Sequence, residues 1–421
     1  MTRTGYRAGS APYRRATFAL FTAGMATFMT LWCVQGLLPV FSAEFGATPA
    51  RAALAVSATT ALLAVAIVPV SVASERFGRT PVMAFSALSS TLVGLLLPWS
   101  PTFEILVAGR AMQGLLCAGI PAVAMTYLVE ELDARDLGAA MGIYVAGTSV
   151  GGLTGRLVPA IGLDILPWQW AFQAGTVLAA LFAAVFVWRV PASRNFTPRR
   201  IAVRQQAGEL VAHLRDRTLF CLFGLGFLLL GAFMALYNFL AYRLLSPPFS
   251  LPESVVGLVF VLYLVGTASA AIAGRLGTRF HRGRVLLTAI AVMAAGVALT
   301  LSDVLAVLLA GVAVTTAGFF AAHSIASGWV PLHASVNRSG ASSLYLLSYY
   351  LGSAVLGALA GAPFARFGWP GLVVYLAVIL AISAIAALYL SAKRSTPRDG
   401  KPIGRRARAS RPTPAGARGT G

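Results

Sequence analysis

Several polar side chains stand deep inside stretches that are otherwise apolar, and each suggests a definite chemistry. Arg110 and Arg156 lie in the apolar runs 103–129 and 137–163. At helical rise each sits roughly 10 Å from one end of its run. A guanidinium in hydrocarbon costs at least about 2.5–3.5 kcal/mol, so it must face a polar cavity and find acceptors. No Asp or Glu lies near the centre of any apolar run. The acceptors on offer are Gln35, Gln113, Asn238, tyrosines, backbone carbonyls, water or a bound anion. Two readings of Arg110 stay open: it binds an anionic group of a solute, or it is structural, satisfied by carbonyls and Gln113. Arg156 is read alike, with the further option that it points into a vestibule.

His323 is the one histidine well inside an apolar run. Histidine titrates near neutral pH, so it could carry a proton; the alternative is a neutral ring bonded to a helix carbonyl. Tyr144, Tyr237, Tyr345, Tyr349 and Tyr350, with Gln35 and Asn238, would line a cavity suited to an amphipathic solute. Gly147, Gly151 and Gly155 recur every four residues beside Gly152. They share a helix face on which a second backbone can approach closely.

The elements that must position these groups follow from composition. The 421 residues are 58% hydrophobic and only 11% charged, with mean hydropathy +0.78. Soluble chains carry about a quarter charged residues, so a soluble enzyme, a disordered regulator and a nucleic-acid binder are all excluded. Cys33, Cys117 and Cys221 sit inside apolar runs as small hydrophobes. No CxxC or His/Cys spacing suggests a metal, no GxxxxGK[ST] loop suggests ATP, and no nucleophile–base set suggests an enzyme. No cofactor is expected.

A bilayer core of about 30 Å needs roughly 20 apolar residues in a helix. Twelve runs qualify, near 16–42, 52–73, 81–99, 103–129, 137–163, 168–189, 218–245, 254–274, 284–302, 304–331, 340–365 and 369–391. The net charge is +20. With the N-terminus inside, all basic residues but Arg51, Arg110, Arg156, Arg243 and Arg366 fall in the two tails and the inner loops. That bias predicts both termini in the cytoplasm. The predicted organisation is a tail (1–15), a six-helix bundle (16–189), a basic linker (190–217) with an amphipathic stretch, a second six-helix bundle (218–392) and a disordered basic tail (393–421). The fold class is all-α membrane protein, with twelve transmembrane helices in two pseudo-symmetric six-helix bundles.

The halves repeat at nearly constant offset. Ser71-Val-Ala-Ser-Glu75-Arg76-Phe-Gly78-Arg79 is answered by Gly274-Arg-Leu-Gly-Thr278-Arg279-Phe-His281-Arg282. Tyr144, Gly151 and Gly152 correspond to Tyr345, Gly352 and Ser353, and Gln35 to Asn238. Repeats of this kind build transporters whose site lies between halves near mid-membrane.

Here the chain, over residues 15–392, resembles the major facilitator superfamily. Ser71–Thr80 is similar to the signature loop G-x-x-x-D-R-x-G-R-K, departing at Ser71, Glu75 and Thr80. Arg110-Ala-Met-Gln113-Gly114 resembles the R-x-x-Q-G motif, and Gly147–Gly155 the antiporter motif with Gly152 in place of its proline. Within the superfamily the runs Tyr127–Glu131, Gly318–Ser324 and Ser342–Gly352 are similar to YnfM-like bacterial inner-membrane transport proteins. The resemblance implies alternating-access transport of small organic solutes across the bacterial inner membrane, with proton-coupled efflux as the default. It also implies a cytoplasmic gate of Glu75, Arg76, Gly78 and Arg79 with a weaker second copy at Arg279 and Arg282, since Thr278 lacks the acid. Organic-anion symport or facilitated flux is the alternative, and a sensor without flux is a third reading. Glu130 and Glu131 are the nearest substitutes for an embedded proton-carrying carboxylate. The expected partners are a small-molecule solute, protons and the bilayer, with no nucleic acid, and the chain is expected to act as a monomer.

Overall fold

The computed structural model describes residues 5–197 and 203–392. Among these residues twelve helices are long and apolar enough to cross a membrane. They are α1 Ala11–Phe45, α2 Pro49–Phe77, α3 Arg79–Trp99, α4 Phe103–Glu131, α5 Leu137–Gly162, α6 Trp168–Arg189, α7 Arg217–Leu245, α8 Glu253–Arg279, α9 Arg282–Leu299, α10 Leu305–His333, α11 Arg338–Leu359 and α12 Gly361–Ala392. A linker helix, Val203–Arg215, joins the halves. The helical architecture is the expected one. The tail 393–421 lies outside the described residues.

Local chemistry sets the boundaries. Helix α1 begins earlier than expected because the Ser10 side chain accepts from the Tyr13 N–H as an N-cap, with Pro12 in the first turn. Helix α11 ends at Leu359, short of the expected 365, and α12 begins at Gly361. Gly368 (φ +61°) followed by Trp369-Pro370 kinks α12, because proline cannot continue the preceding turn. Helix α1 is itself interrupted: regular helix stops at Trp32, and Gln35–Leu37 forms a 3₁₀ turn before helix resumes at Leu38.

The same neighbour pairs recur in each half. Helix α5 packs on α1 as α11 does on α7, α4 on α2 as α10 on α8, and α6 on α1 and α3 as α12 on α7 and α9. Between halves, α2 packs on α11 and α5 on the first turns of α8. The end opposite the linker helix, here the far end, is sealed. Tyr242 donates to the Leu38 carbonyl (2.8 Å) and lies 2.7 Å from the Ser42 hydroxyl, and Gly36 and Gly257 lie against Ala160.

The glycine face of α5 packs closely, and the backbone it meets is that of α1. An added Cβ on Gly151 or Gly155 would come within 2.6 Å of the Met25 or Met29 Cα, and one on Gly147 within 2.3 Å of the Phe21 carbonyl oxygen. Gly152 faces elsewhere, toward the Arg156 guanidinium and Trp32.

Candidate functional site

The break in α1 organises the polar interior. A helix end leaves its last carbonyls without intrahelical partners, and Arg110 of α4 takes two of them. Its Nη1 donates to the Thr30 carbonyl (2.9 Å), its Nη2 to the Leu31 carbonyl (2.8 Å) and its Nε to the Ala55 carbonyl of α2 (3.1 Å). A further bond runs from Nη1 to the Gln113 side chain, which donates to the Ser90 carbonyl of α3. A cation at a helix C-terminus is also favoured by the helix dipole. Gly114 lets α2 approach, since a Cβ there would meet the Thr59 carbonyl oxygen at 2.0 Å. Of the two readings of Arg110, the carbonyl-satisfied one describes this geometry: its guanidinium and Gln113 tie α1, α2, α3 and α4 together.

Arg156 lies on the other side of the α1 break from Arg110. Its Nε donates to the Gln35 side-chain oxygen (2.6 Å), Nη1 to the Gly152 carbonyl (2.7 Å) and Nη2 to the Tyr263 hydroxyl of α8 (3.1 Å). Its guanidinium carbon lies 4.5 Å from the Tyr263 ring centroid, 4.8 Å from Trp32 and 5.4 Å from Phe260, distances at which ring faces attract a cation. The residue is 1% exposed and has no carboxylate partner among the described residues.

The network continues across the halves. Gln35 Nε2 donates to Asn238 Oδ1 of α7 (2.8 Å), so the two repeat-equivalent amides bond one another. The Asn238 amide nitrogen is buried without an acceptor, as is the Ser57 hydroxyl of α2. Both lie within 4 Å of the point where a Cβ on Gly357 of α11 would sit. Asn238 and Gln35 are fully buried. A buried polar atom without a partner calls for an occupant or a bridging water.

An aromatic wall leads from Arg156 toward His323. Tyr263 packs on Phe233 and Phe320, Phe233 stacks on Phe319 (4.0 Å), and Phe319 stacks on the His323 ring. His323 Nδ1 lies 2.9 Å from the Tyr345 hydroxyl, and its ring lies 4.5 Å from Tyr349. His323, Tyr349 and Tyr263 keep partial exposure, whereas Tyr144, Tyr237, Tyr345 and Tyr350 are buried. Tyr237 is bonded to Thr316 (2.8 Å).

The signature loop forms an ion-pair cluster inside the first half. Arg79 donates to Glu130 through Nε (3.1 Å) and Nη2 (2.8 Å), to Glu75 (2.5 Å) and to Ser74 (2.6 Å). It clamps the ends of α2, α3 and α4, with Gly78 at φ +95° making the turn. Glu130, read from sequence as a possible proton carrier, is therefore spent on Arg79. Arg76 is exposed against Phe77, Arg279 is exposed, and Arg282 donates only weakly to the Gly277 carbonyl (3.5 Å). No ion pair among the described residues includes these three arginines.

Sequence reasoning missed Tyr263, Ser57, Phe233 and Phe319. The alternation of aromatic and small residues along α8 and α10 looks like ordinary lipid-facing helix, and only the kinked start of α8 (Val259–Leu262, a 3₁₀ turn) turns Tyr263 toward Arg156.

Comparison with known proteins agrees with this architecture. The Major Facilitator Superfamily is matched over residues 20–251 and 225–418. The chain is 39% identical over 388 residues to the uncharacterized MFS-type transporter YybF of Bacillus subtilis, covering 92% of this chain and 96% of that one. It is 40% identical over 383 residues to the inner membrane transport protein YnfM of Escherichia coli, covering 91% and 92%. Among solved structures, a nucleoside transporter, NupG, superposes with TM-score 0.75 at 13% identity, covering 89% of this chain and 99% of that one. A bacterial homologue of the human lysosomal transporter Spinster does so with TM-score 0.71 at 17%, covering 91% and 98%. The chain therefore belongs to the major facilitator superfamily and is a multi-pass membrane transporter, not an enzyme.

Proposed function

We propose that this transporter moves a small organic solute by alternating access, with both termini and the linker in the cytoplasm of a bacterial cell. In this reading Arg156, with Gln35 and Asn238, holds the solute's anionic or acceptor-rich end. The observation that carries it is a buried guanidinium between the halves with no carboxylate to neutralise it. Its present partners are all neutral, so a bound anion would supply the missing counter-charge. The free Asn238 N–H and Ser57 hydroxyl would donate to the same group. The ring faces from Tyr263 to Tyr349 would hold a flat or apolar body.

His323 is the proposed proton carrier. With it, export of the solute in exchange for protons is the proposed direction. One observation favours organic-anion uptake with a proton instead: within the twelve membrane helices every Asp and Glu lies in the first or last turn. A cation–proton exchanger with an embedded carboxylate is thus poorly served.

Flux in proteoliposomes tests both. Anionic aromatic acids and lipophilic cations are offered side by side, with the pH gradient imposed in either direction. Arg156→Gln should abolish anion flux at least tenfold, with Arg156→Lys restoring little because one ammonium cannot reproduce the fork. Undiminished anion flux in Arg156→Gln would overturn the assignment. His323→Ala should uncouple flux from the pH gradient; unchanged coupling would remove His323 as carrier.

A further inference from the structure

Outside the central site, a wide groove lies where the linker helix meets α7 and α12. It has a volume of about 520 Å³ and is lined by Leu214, Arg215, Arg217, Phe220, Cys221 and Tyr389. Phe220 sits in the first turn of α7 and Tyr389 in the last turn of α12, so the groove lies at the depth where helices leave the hydrocarbon. Phe220 is 61% exposed and Tyr389 40%.

Neither arginine has a counter-ion among the described residues, although Asp216 stands between them. The Asp216 carboxylate is already occupied. One oxygen accepts from the Thr218 and Leu219 N–H groups as the N-cap of α7, and the other faces His333 at 3.3 Å. Burial pushes this carboxyl up, but the Leu219 N–H, His333 and the Thr218 N–H outweigh it and hold it below the usual carboxylate range. It therefore stays ionised and turned toward α10 at neutral pH, leaving Arg215 and Arg217 free to meet an external anion.

We propose that this groove is a site for an anionic phospholipid, its phosphodiester between Arg215 and Arg217 and the upper part of its chains along Phe220 and Tyr389. Basic pockets between membrane helices recognise such headgroups, aromatic rings favour the interface, and only a lipid presents phosphate and hydrocarbon together at that depth. Occupancy would pin the linker helix, which follows the first bundle, to the outside of the second.

The test uses the full chain in detergent, analysed by native mass spectrometry with phosphatidylglycerol against phosphatidylcholine. The wild type should retain phosphatidylglycerol severalfold over phosphatidylcholine, and sn-glycerol 3-phosphate at equal concentration should not displace it. The double variant Arg215→Gln/Arg217→Gln should lose the preference, while Arg215→Lys/Arg217→Lys keeps most of it. Preference unchanged in the glutamine variant, or complete displacement by the soluble phosphate, would overturn the proposal. A photoactivatable phosphatidylglycerol gives a readout independent of variant folding: crosslinks should map to peptides containing Phe220 or Tyr389, and their absence there would be equally decisive.

Discussion

At the scale of single residues, the two membrane arginines divide the labour. Arg110 donates to three carbonyls and an amide inside one half; Arg156, likewise on neutral partners, bridges the halves. Their substitutions should separate accordingly. Arg110→Gln removes the charged donor from the Thr30, Leu31 and Ala55 carbonyls, and bonds to a charged donor are worth about 1.5–3 kcal/mol each. The variant should be destabilised by about 3 kcal/mol or more in detergent melts, while the fraction that folds keeps its solute affinity. A folded Arg110→Gln protein with normal stability and lost binding would reverse the two assignments.

At the scale of helices, the seam of Gly147, Gly151 and Gly155 against Phe21, Met25 and Met29 fixes how α5 lies on α1, and hence how Arg156 meets Gln35 across the break. Gly155→Ala would force a Cβ against the Met29 backbone at 2.6 Å. Overpacking of this kind costs about 1–3 kcal/mol. A lower melting temperature is expected, whereas Gly142→Ala on the same helix, with nothing within 4 Å of the added carbon, should leave it unchanged. Equal melting of the two would mean that α5 is free to shift. The glycine period was legible in the sequence because a spacing of four needs no tertiary information. The partners of Arg79 were half legible: Glu75 is one turn away, but Glu130 enters only because α4 ends beside α2. The pairing of Arg156 with Tyr263 was not legible at all. It depends on how the first turns of α8 lean across the far end, which hydropathy does not encode.

At the scale of the whole molecule, twelve spans and the twofold repetition were readable because bilayer thickness and the repeat offset act on the chain directly. What lay beyond the sequence was the state the halves adopt. They meet at the far end through Tyr242 with Leu38 and Ser42, and through Gln35 with Asn238. Opening that end must break these bonds. Tyr242→Phe removes two hydrogen bonds, each worth about 0.5–1.5 kcal/mol, and should raise the far-end-open population at least about fivefold. Spin labels at Ile165 and Ser254 would report it as a longer distance, and an unchanged distance distribution would show that the hydroxyl does not hold the halves.

The Arg156 guanidinium also has an electrical consequence. With an anionic cargo held there as proposed, its charge is cancelled when the carrier is loaded and uncompensated when it is empty. One elementary charge moved fully through 100 mV gains or loses about 2.3 kcal/mol, and a site that merely changes the compartment it faces senses a fraction of this. Voltage would then act chiefly on the return of the vacant carrier, setting the pace of the cycle without touching the affinity of the step that loads it.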